Sequence, residues 1–290
     1  MVFTVSPVGS SDKVVLDTTY LTDPVTYSFS LPISNQSTQP LYFKIRTNDP
    51  NWTITSPSGG VLGEIGEAGN AEYAITIQRA KPTTDTTETV TFTVEAYTDS
   101  NYTNLVDSTT FSITITLADI RHWQNVTIYN FDDGTAQGWS LGSLNISNDL
   151  SVEAGGYSAK GYTSVSGSHI TKLYNLTRSI TLPNNANVAL SLMFATKSYV
   201  SNSSTGNRVD INYLKVTVNG TDEYYANLGK VGYYFDYKSG TVVVPWKQAG
   251  VDLSKYAGQQ VTIKIEFSVS IISNANFTIW IDDIIIAGNG

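Results

Sequence analysis

"VTIKIEFSVSI", residues 261–271, decides the fold. Val261, Ile263, Ile265, Phe267, Val269 and Ile271 recur at every second position, and Thr262, Lys264, Glu266, Ser268 and Ser270 fill the places between them. Successive side chains of a strand point to opposite faces, so this stretch reads as a strand with one apolar side. The same alternation recurs outward along the chain, in "LKVTV" (214–218), "FSITITL" (111–117), "TFTVEA" (91–96), "YAITI" (73–77) and "VTYSFSL" (25–31). One-sided strands must bury their apolar side against a facing sheet, which predicts an all-β chain of antiparallel β-sandwiches. No stretch holds a sustained helical period. "VNGT" (218–221) predicts a tight hairpin, because Asn219 and Gly220 both tolerate positive φ.

Composition narrows the function. Only 14% of the 290 residues are charged, against about 25% in ordinary globular proteins, while 41% are hydrophobic. A packed core is therefore expected and general disorder is not. The net charge of -8 and the absence of any basic cluster argue against nucleic acid and against an anionic membrane surface. With no cysteine, disulfides, thiolate nucleophiles and Cys-bound zinc are excluded together. No apolar run is long enough for a transmembrane helix, so no membrane insertion is expected. The opening "MVFTVSPVGSSDK" lacks the basic start and apolar middle of a signal peptide. Low charge also suits an acidic medium, where ion pairs are poor supports and stability must rest on burial and neutral hydrogen bonds.

A boundary is expected near 119–127, "DIRHWQNVT". It divides the chain into a first sandwich over 1–120, a linker over 121–129 and a second sandwich over 130–290. The pattern "LYFKIRTNDPNWTITSPSGGV…AEYAITIQRA…ETVTFTVEAYTDS…TTFSITITL" resembles immunoglobulin-like or fibronectin-like spacer domains, without their Cys-Trp-Cys hallmark. In the second part, "NFDDGTAQGW" (130–139), "GGYSAKGY" (155–162), "VDLSKYAGQQVTIKIEF" (251–267) and "FTIWIDDIII" (277–286) resemble the jelly roll of carbohydrate-binding modules and galactose-binding-like domains. That resemblance implies glycan recognition. It also implies a structural calcium near the first and last strands, for which Asp132, Asp133, Asp282 and Asp283 are the candidate ligands.

Adjacent residues of a strand diverge, so at most one aspartate of each pair can serve a given site. One from each strand, with loop carbonyls, would suit a hard cation. The alternative is that one aspartate caps a turn, as "DDGT" with Gly134 suggests, while the other faces solvent. A glycosidase would need two carboxyls facing each other across a cleft, and no motif here signals that. His122 and His169 form no zinc motif, "GYSAKG" (156–161) is not a nucleophile elbow, and no phosphate loop is present. No catalytic residue is assigned. His122 and Trp123 are expected to pack at the domain junction.

"EYYANLGKVGYYFDY" (223–237) concentrates tyrosines. A Tyr ring can stack on the C–H face of a sugar while its hydroxyl stays wet. Tyr224, Tyr225, Tyr233, Tyr234 and Tyr237 are the candidate ligand-binding rings, with Asp236 and Asn227 as polar partners; the alternative is that these rings pack in the core or at a protein interface. Trp139, Trp246 and Trp280 are expected in the core. Nine glycosylation sequons occur, at Asn35, Asn51, Asn101, Asn125, Asn145, Asn175, Asn202, Asn219 and Asn276.

Together these readings predict a non-catalytic, surface-exposed binding or adhesion protein. It would be extracellular, on a cell surface or on a virion, and would recognise a glycan or cell-surface polysaccharide through its second sandwich. Two alternatives remain. One is a structural subunit of a virion, pilus or surface layer that contacts identical subunits. The other is the accessory region of a secreted glycoside-degrading enzyme.

Overall fold

Val, Ile, Thr and Tyr at alternating positions favour a pleated, half-buried surface. The computed structural model describes residues 2–6, 13–201, 208–228, 240–272 and 274–290. Its first group of strands is β1 (Phe3–Val5), β2 (Lys13–Asp17), β3 (Val25–Asn35), β4 (Leu41–Thr47), β5 (Thr53–Ser56), β6 (Val61–Ile65), β7 (Asn70–Arg79), β8 (Thr86–Tyr97) and β9 (Leu105–Ala118). The second group is β10 (Asn125–Tyr129), β11 (Asn145–Ser147), β12 (Ser158–Val165), β13 (His169–Thr181), β14 (Asn187–Val200), β15 (Arg208–Val218), β16 (Thr221–Ala226), β17 (Gly240–Asp252), β18 (Gln260–Ile272) and β19 (Ala275–Asn289). Among the described residues the only helical pieces are short 3-10 turns, such as Thr18–Tyr20 and Ile120–His122. The chain is all-β.

Two small sheets, β1-β3-β7-β5 and β13-β18-β15-β16, each cover part of one long sheet of order β11-β12-β19-β14-β17-β2-β9-β8-β4-β6. In the first core, Phe29 packs edge-on against Phe92, which stacks on Phe111 at 5.0 Å. In the second, Phe267 stacks on Phe277 at 5.8 Å, among Ile263, Ile265, Val269 and Ile271. These are the alternate apolar positions of "VTIKIEFSVSI". Each such buried side chain contributes about 1.5–3 kcal/mol.

The two cores meet through shared strand pairing. β2 runs parallel to β9 from Lys13↔Thr114 to Asp17↔Ala118 and touches β17 at Val14↔Val251. The approach is close: a Cβ at Gly250 would lie 2.1 Å from the Val15 carbonyl oxygen, so glycine is required there. A third apolar cluster, with Val15, Ala118, Ile120, Ala189, Ile285 and Ala287, fills the junction. Residues 121–129, expected as a linker, instead complete a 3-10 turn and form β10, which pairs with β19 from Asn125↔Gly288 to Tyr129↔Ile284. Trp123 packs on the junction cluster as expected, but the His122 side chain is 84% exposed and pairs with Asp119.

The hairpin at 218–221 is present, with Asn219 at φ 51° and Gly220 at φ 83° joining β15 to β16. β19 carries a feature that alternation alone does not predict. Its register against β14 shifts between Ser191 and Met193, and Asp283 sits at φ 47°. This bulge inserts an extra residue, so Ile281 and Ile284 both enter the second core while Asp282 and Asp283 both stay out of it.

Candidate functional site

The aspartate pairs separate into three environments. Asp133 lies in the exposed turn, where its Oδ1 accepts the Thr135 N–H at 2.9 Å and the Thr135 hydroxyl at 2.8 Å. Those bonds hold its carboxyl below the usual range. Asp132 and Asp282 both fasten the segment 150–157. Asp132 Oδ1 accepts the Tyr157 N–H at 3.1 Å, and Asp282 Oδ2 accepts the Val152 N–H at 2.8 Å. Burial pushes Asp282 up to about 7, with the charges of Asp283 and Asp132 adding to the shift against the bonds from the Val152 and Asp283 amides.

Asp283 turns to the junction instead. It accepts the Tyr20 hydroxyl and, at 2.5 Å, Arg121 Nη2. Arg121 also faces buried Asp17, its Nε 4.0 Å from Asp17 Oδ2, and its guanidinium lies 4.9 Å from the Tyr20 ring centre. Burial raises both Asp17 and Asp283 above the ordinary carboxylate value.

This partition removes Asp133 and Asp283 from the expected metal set. Asp132 and Asp282 approach the same segment, yet all four of their oxygens accept N–H groups, from Tyr157, Asn130, Asp283 and Val152. Among the described residues no group of three or more His, Cys, Asp or Glu stands together. Calcium takes six to eight oxygen ligands, so Asp132 and Asp282 alone would not complete its shell.

The expected tyrosines also divide. Tyr224 pairs with Val216 and turns into the second core, whereas Tyr225 pairs with Lys215 and faces outward. Tyr224 is therefore a core ring and not an exposed platform, as alternation along β16 requires. Tyr233, Tyr234, Tyr237 and Asp236 lie outside the described residues. Asn227 donates to Glu72 Oε1 at 3.0 Å, so it ties β16 to the first sandwich rather than standing free for a ligand.

Tyr225 has a neighbour the sequence did not single out. Its ring lies 5.3 Å from that of Tyr213, with 31° between the planes. The pair sits on the outward face of β13-β18-β15-β16, over a polar network. Tyr213 donates its hydroxyl to Glu266 Oε1 at 2.8 Å, Lys264 bonds the other oxygen, and Lys215 approaches to 4.0 Å. Burial and then Glu266 push Tyr213 up to about 12. Burial alone would raise Glu266, but the bonds from Lys264 and Tyr213 and the charge of Lys215 outweigh it and keep the carboxylate ionised. Asn212 extends the row by donating to Ser268 and Ser270, each at 3.1 Å.

A second feature is a cleft of about 690 Å³ between the two sandwiches, lined by Tyr20, Tyr27, Thr26, Trp246, Lys247 and Gln248 among others. Trp246, expected in the core, is half-buried in its wall; Trp139 and Trp280 are buried.

The sequons are not equivalent. Asn35 is buried, and its amide donates to the carbonyls of Gln39, Ile65 and Gly66, so it cannot carry a glycan in the folded chain. Asn51, Asn101, Asn125, Asn145 and Asn219 are exposed, Asn175 and Asn276 are half-buried, and Asn202 lies outside the described residues.

No protein-family model and no curated protein sequence matches the chain. Solved structures do. A CBM27-1 carbohydrate-binding module of Caldicellulosiruptor saccharolyticus in complex with mannohexaose aligns with 57% of this chain and 99% of its own, at 13% identity and a TM-score of 0.37. A cleaved adhesin domain of Lys-gingipain from Porphyromonas gingivalis shares the same coverage and score at 15% identity. A carbohydrate-binding module of the β-sandwich superfamily aligns with 98% of this chain at 12% identity and a TM-score of 0.32. The chain resembles β-sandwich carbohydrate-binding modules. At these identities and TM-scores the likeness carries no argument of its own, and the immunoglobulin-like reading of the first sandwich is not established by it. No described helix is long and apolar enough to cross a membrane.

Proposed function

We propose that this is a non-catalytic, extracellular glycan-binding protein that holds a saccharide against the open face of β13-β18-β15-β16. The observation that carries the reading is the Tyr213–Tyr225 ring pair set beside the Glu266–Lys264–Lys215 network. Two partly exposed rings offer apolar surface to sugar C–H groups. Lys264 and Lys215 lie within the same rows of the sheet and can meet hydroxyls, held in place by the buried Glu266 carboxylate. Both rings stand on paired strands, so little order has to be imposed on binding. The reading keeps the expected Tyr225, adds Tyr213, and supports an adhesive role in which the bound glycan belongs to another surface.

The test is isothermal titration of the full chain against mannohexaose, galactotriose and other uncharged oligosaccharides, with Tyr213→Ala and Tyr225→Ala as variants. Each substitution should weaken binding about tenfold, the effect of losing about 1.4 kcal/mol. Unchanged affinity in both variants, with their melting temperatures intact, would refute the assignment.

A further inference from the structure

We infer that the cleft between the two sandwiches is a second saccharide site, built jointly by both, that takes a short uncharged oligosaccharide. Its volume of about 690 Å³ lies within the range of small-ligand sites, roughly 300–1,000 Å³, and such sites concentrate where domains meet. The lining chemistry selects the ligand. No Asp or Glu occurs among the described residues that line it, and Lys247 is the single cation, so neither a cationic nor a strongly anionic ligand finds matching charge. Beside aliphatic groups such as Val242, Val243 and Pro245, the walls present rings and neutral polar groups.

Trp246 of β17 stands half-buried on the second sandwich, and Tyr20 and Tyr27 come from the first. Gln248 donates its Nε2 to Ser191 at 2.9 Å, while its buried Oε1 has no hydrogen-bond partner among the described residues. A buried amide oxygen without a donor is costly, and it marks this wall of the cleft as incompletely satisfied. Exposed Thr26 adds a hydroxyl from the opposite wall.

The walls are fixed relative to one another before any ligand arrives. β2 joins β9 to β17, Asn227 bonds Glu72, and Tyr20 is held by the buried Asp283 carboxylate beneath the Arg121 guanidinium. A cleft assembled in this way loses little freedom on binding. The first sandwich is then half of a site rather than a spacer. This inference does not depend on the Tyr213–Tyr225 face, because the two surfaces share no residue.

The test uses the full chain carrying Tyr213→Ala and Tyr225→Ala, which disables the sheet face, titrated with the same oligosaccharides. That variant should still bind one ligand per chain, with a saturable change in tryptophan emission from Trp246. Adding Trp246→Ala, or blocking the cleft from the other wall with Thr26→Arg, should each lower the remaining affinity at least about tenfold. Thr26 is exposed, so its replacement leaves folding intact even if Trp246→Ala does not. The inference is overturned if the double variant binds nothing while the unaltered chain binds, a result that leaves the sheet-face reading standing. It is equally overturned if binding by the double variant survives Thr26→Arg, or if no oligosaccharide binds the unaltered chain at all. Loss of affinity on Thr26→Arg with none on removing the two tyrosines would support the cleft and refute the sheet face.

Discussion

Replacing Asp282 by Asn should flatten the dependence of stability on pH. The carboxyl is buried and its folded value is raised from 3.8 to about 7. Between those limits the unfolded chain releases a proton that the folded chain keeps, so stability falls as pH rises and levels off above about 7. The interval spans about three pH units at about 1.4 kcal/mol each, or on the order of 4 kcal/mol. For a chain of this size that corresponds to about 8 °C in melting temperature. Burial raises Asp17 and Asp283 in the same direction, so some slope will remain in the variant.

Glu88 and Glu266 act oppositely, because their hydrogen bonds and cationic partners outweigh burial and lower them. Their contributions are present above the unfolded value of 4.5 and are lost only as pH falls below it, which leaves the range above 4.5 to the raised aspartates. Calorimetry of the unaltered chain from pH 8 to pH 4.5 should show a rising melting temperature. Asp282→Asn should show a lower but flatter profile, since Asn cannot accept both the Val152 and Asp283 amides. A melting temperature that drops steadily with acid, or parallel profiles for the two proteins, would refute the assignment of the slope to Asp282.

Arg121→Ala should cost about 3–5 kcal/mol in denaturant titration, because it strands Asp17 and Asp283 as buried charges; a loss below about 1 kcal/mol would count against a junction held by that arginine. Gly161→Ala should destabilise by about 1–3 kcal/mol, since its Cβ would fall 2.4 Å from Tyr174 Cδ1 in the second core, and calorimetry will read this directly. Secretion from a glycosylating host followed by peptide mass spectrometry should find Asn35 bare and exposed sites such as Asn101 and Asn219 modified, and any glycan on Asn175, which lies opposite Glu266 on the sheet face, should block oligosaccharide binding. Treatment with a chelator should leave the melting temperature unchanged, because no third acidic or imidazole group joins Asp132 and Asp282 among the described residues; a clear fall, reversed by calcium, would show an ion bound there.

Strand identity was legible because burial imposes a period of two on the sequence, and the apolar positions of "VTIKIEFSVSI" are the ones that enter the second core. The hairpin at Asn219 and Gly220 was legible for a similarly local reason: few residues accept positive φ twice in succession. Three features were not local. The bulge at Asp283 is set by the register of β14 against β19, which "IWIDDIII" does not reveal, and it decides where both aspartates go. Tyr213 follows another register shift, in β15, and faces Tyr225 only because β15 and β16 pair. Trp246 and Tyr20 lie far apart in sequence, and only the docking of β2 between β9 and β17 brings them to one cleft. Asn35 shows the reverse case: its motif is visible in three letters, while two of the three carbonyls that consume its amide, those of Ile65 and Gly66, come from a distant part of the chain.

The proposed function requires that this chain recognise sugars and leave them intact. Saturation-transfer NMR on the unaltered protein with mannohexaose and related uncharged oligosaccharides tests both halves at once. Transfer to the C–H protons of the bound sugar rings is expected, with a ligand spectrum unchanged after prolonged incubation. No transfer to any member of the panel, or the appearance of new reducing-end signals, would contradict it.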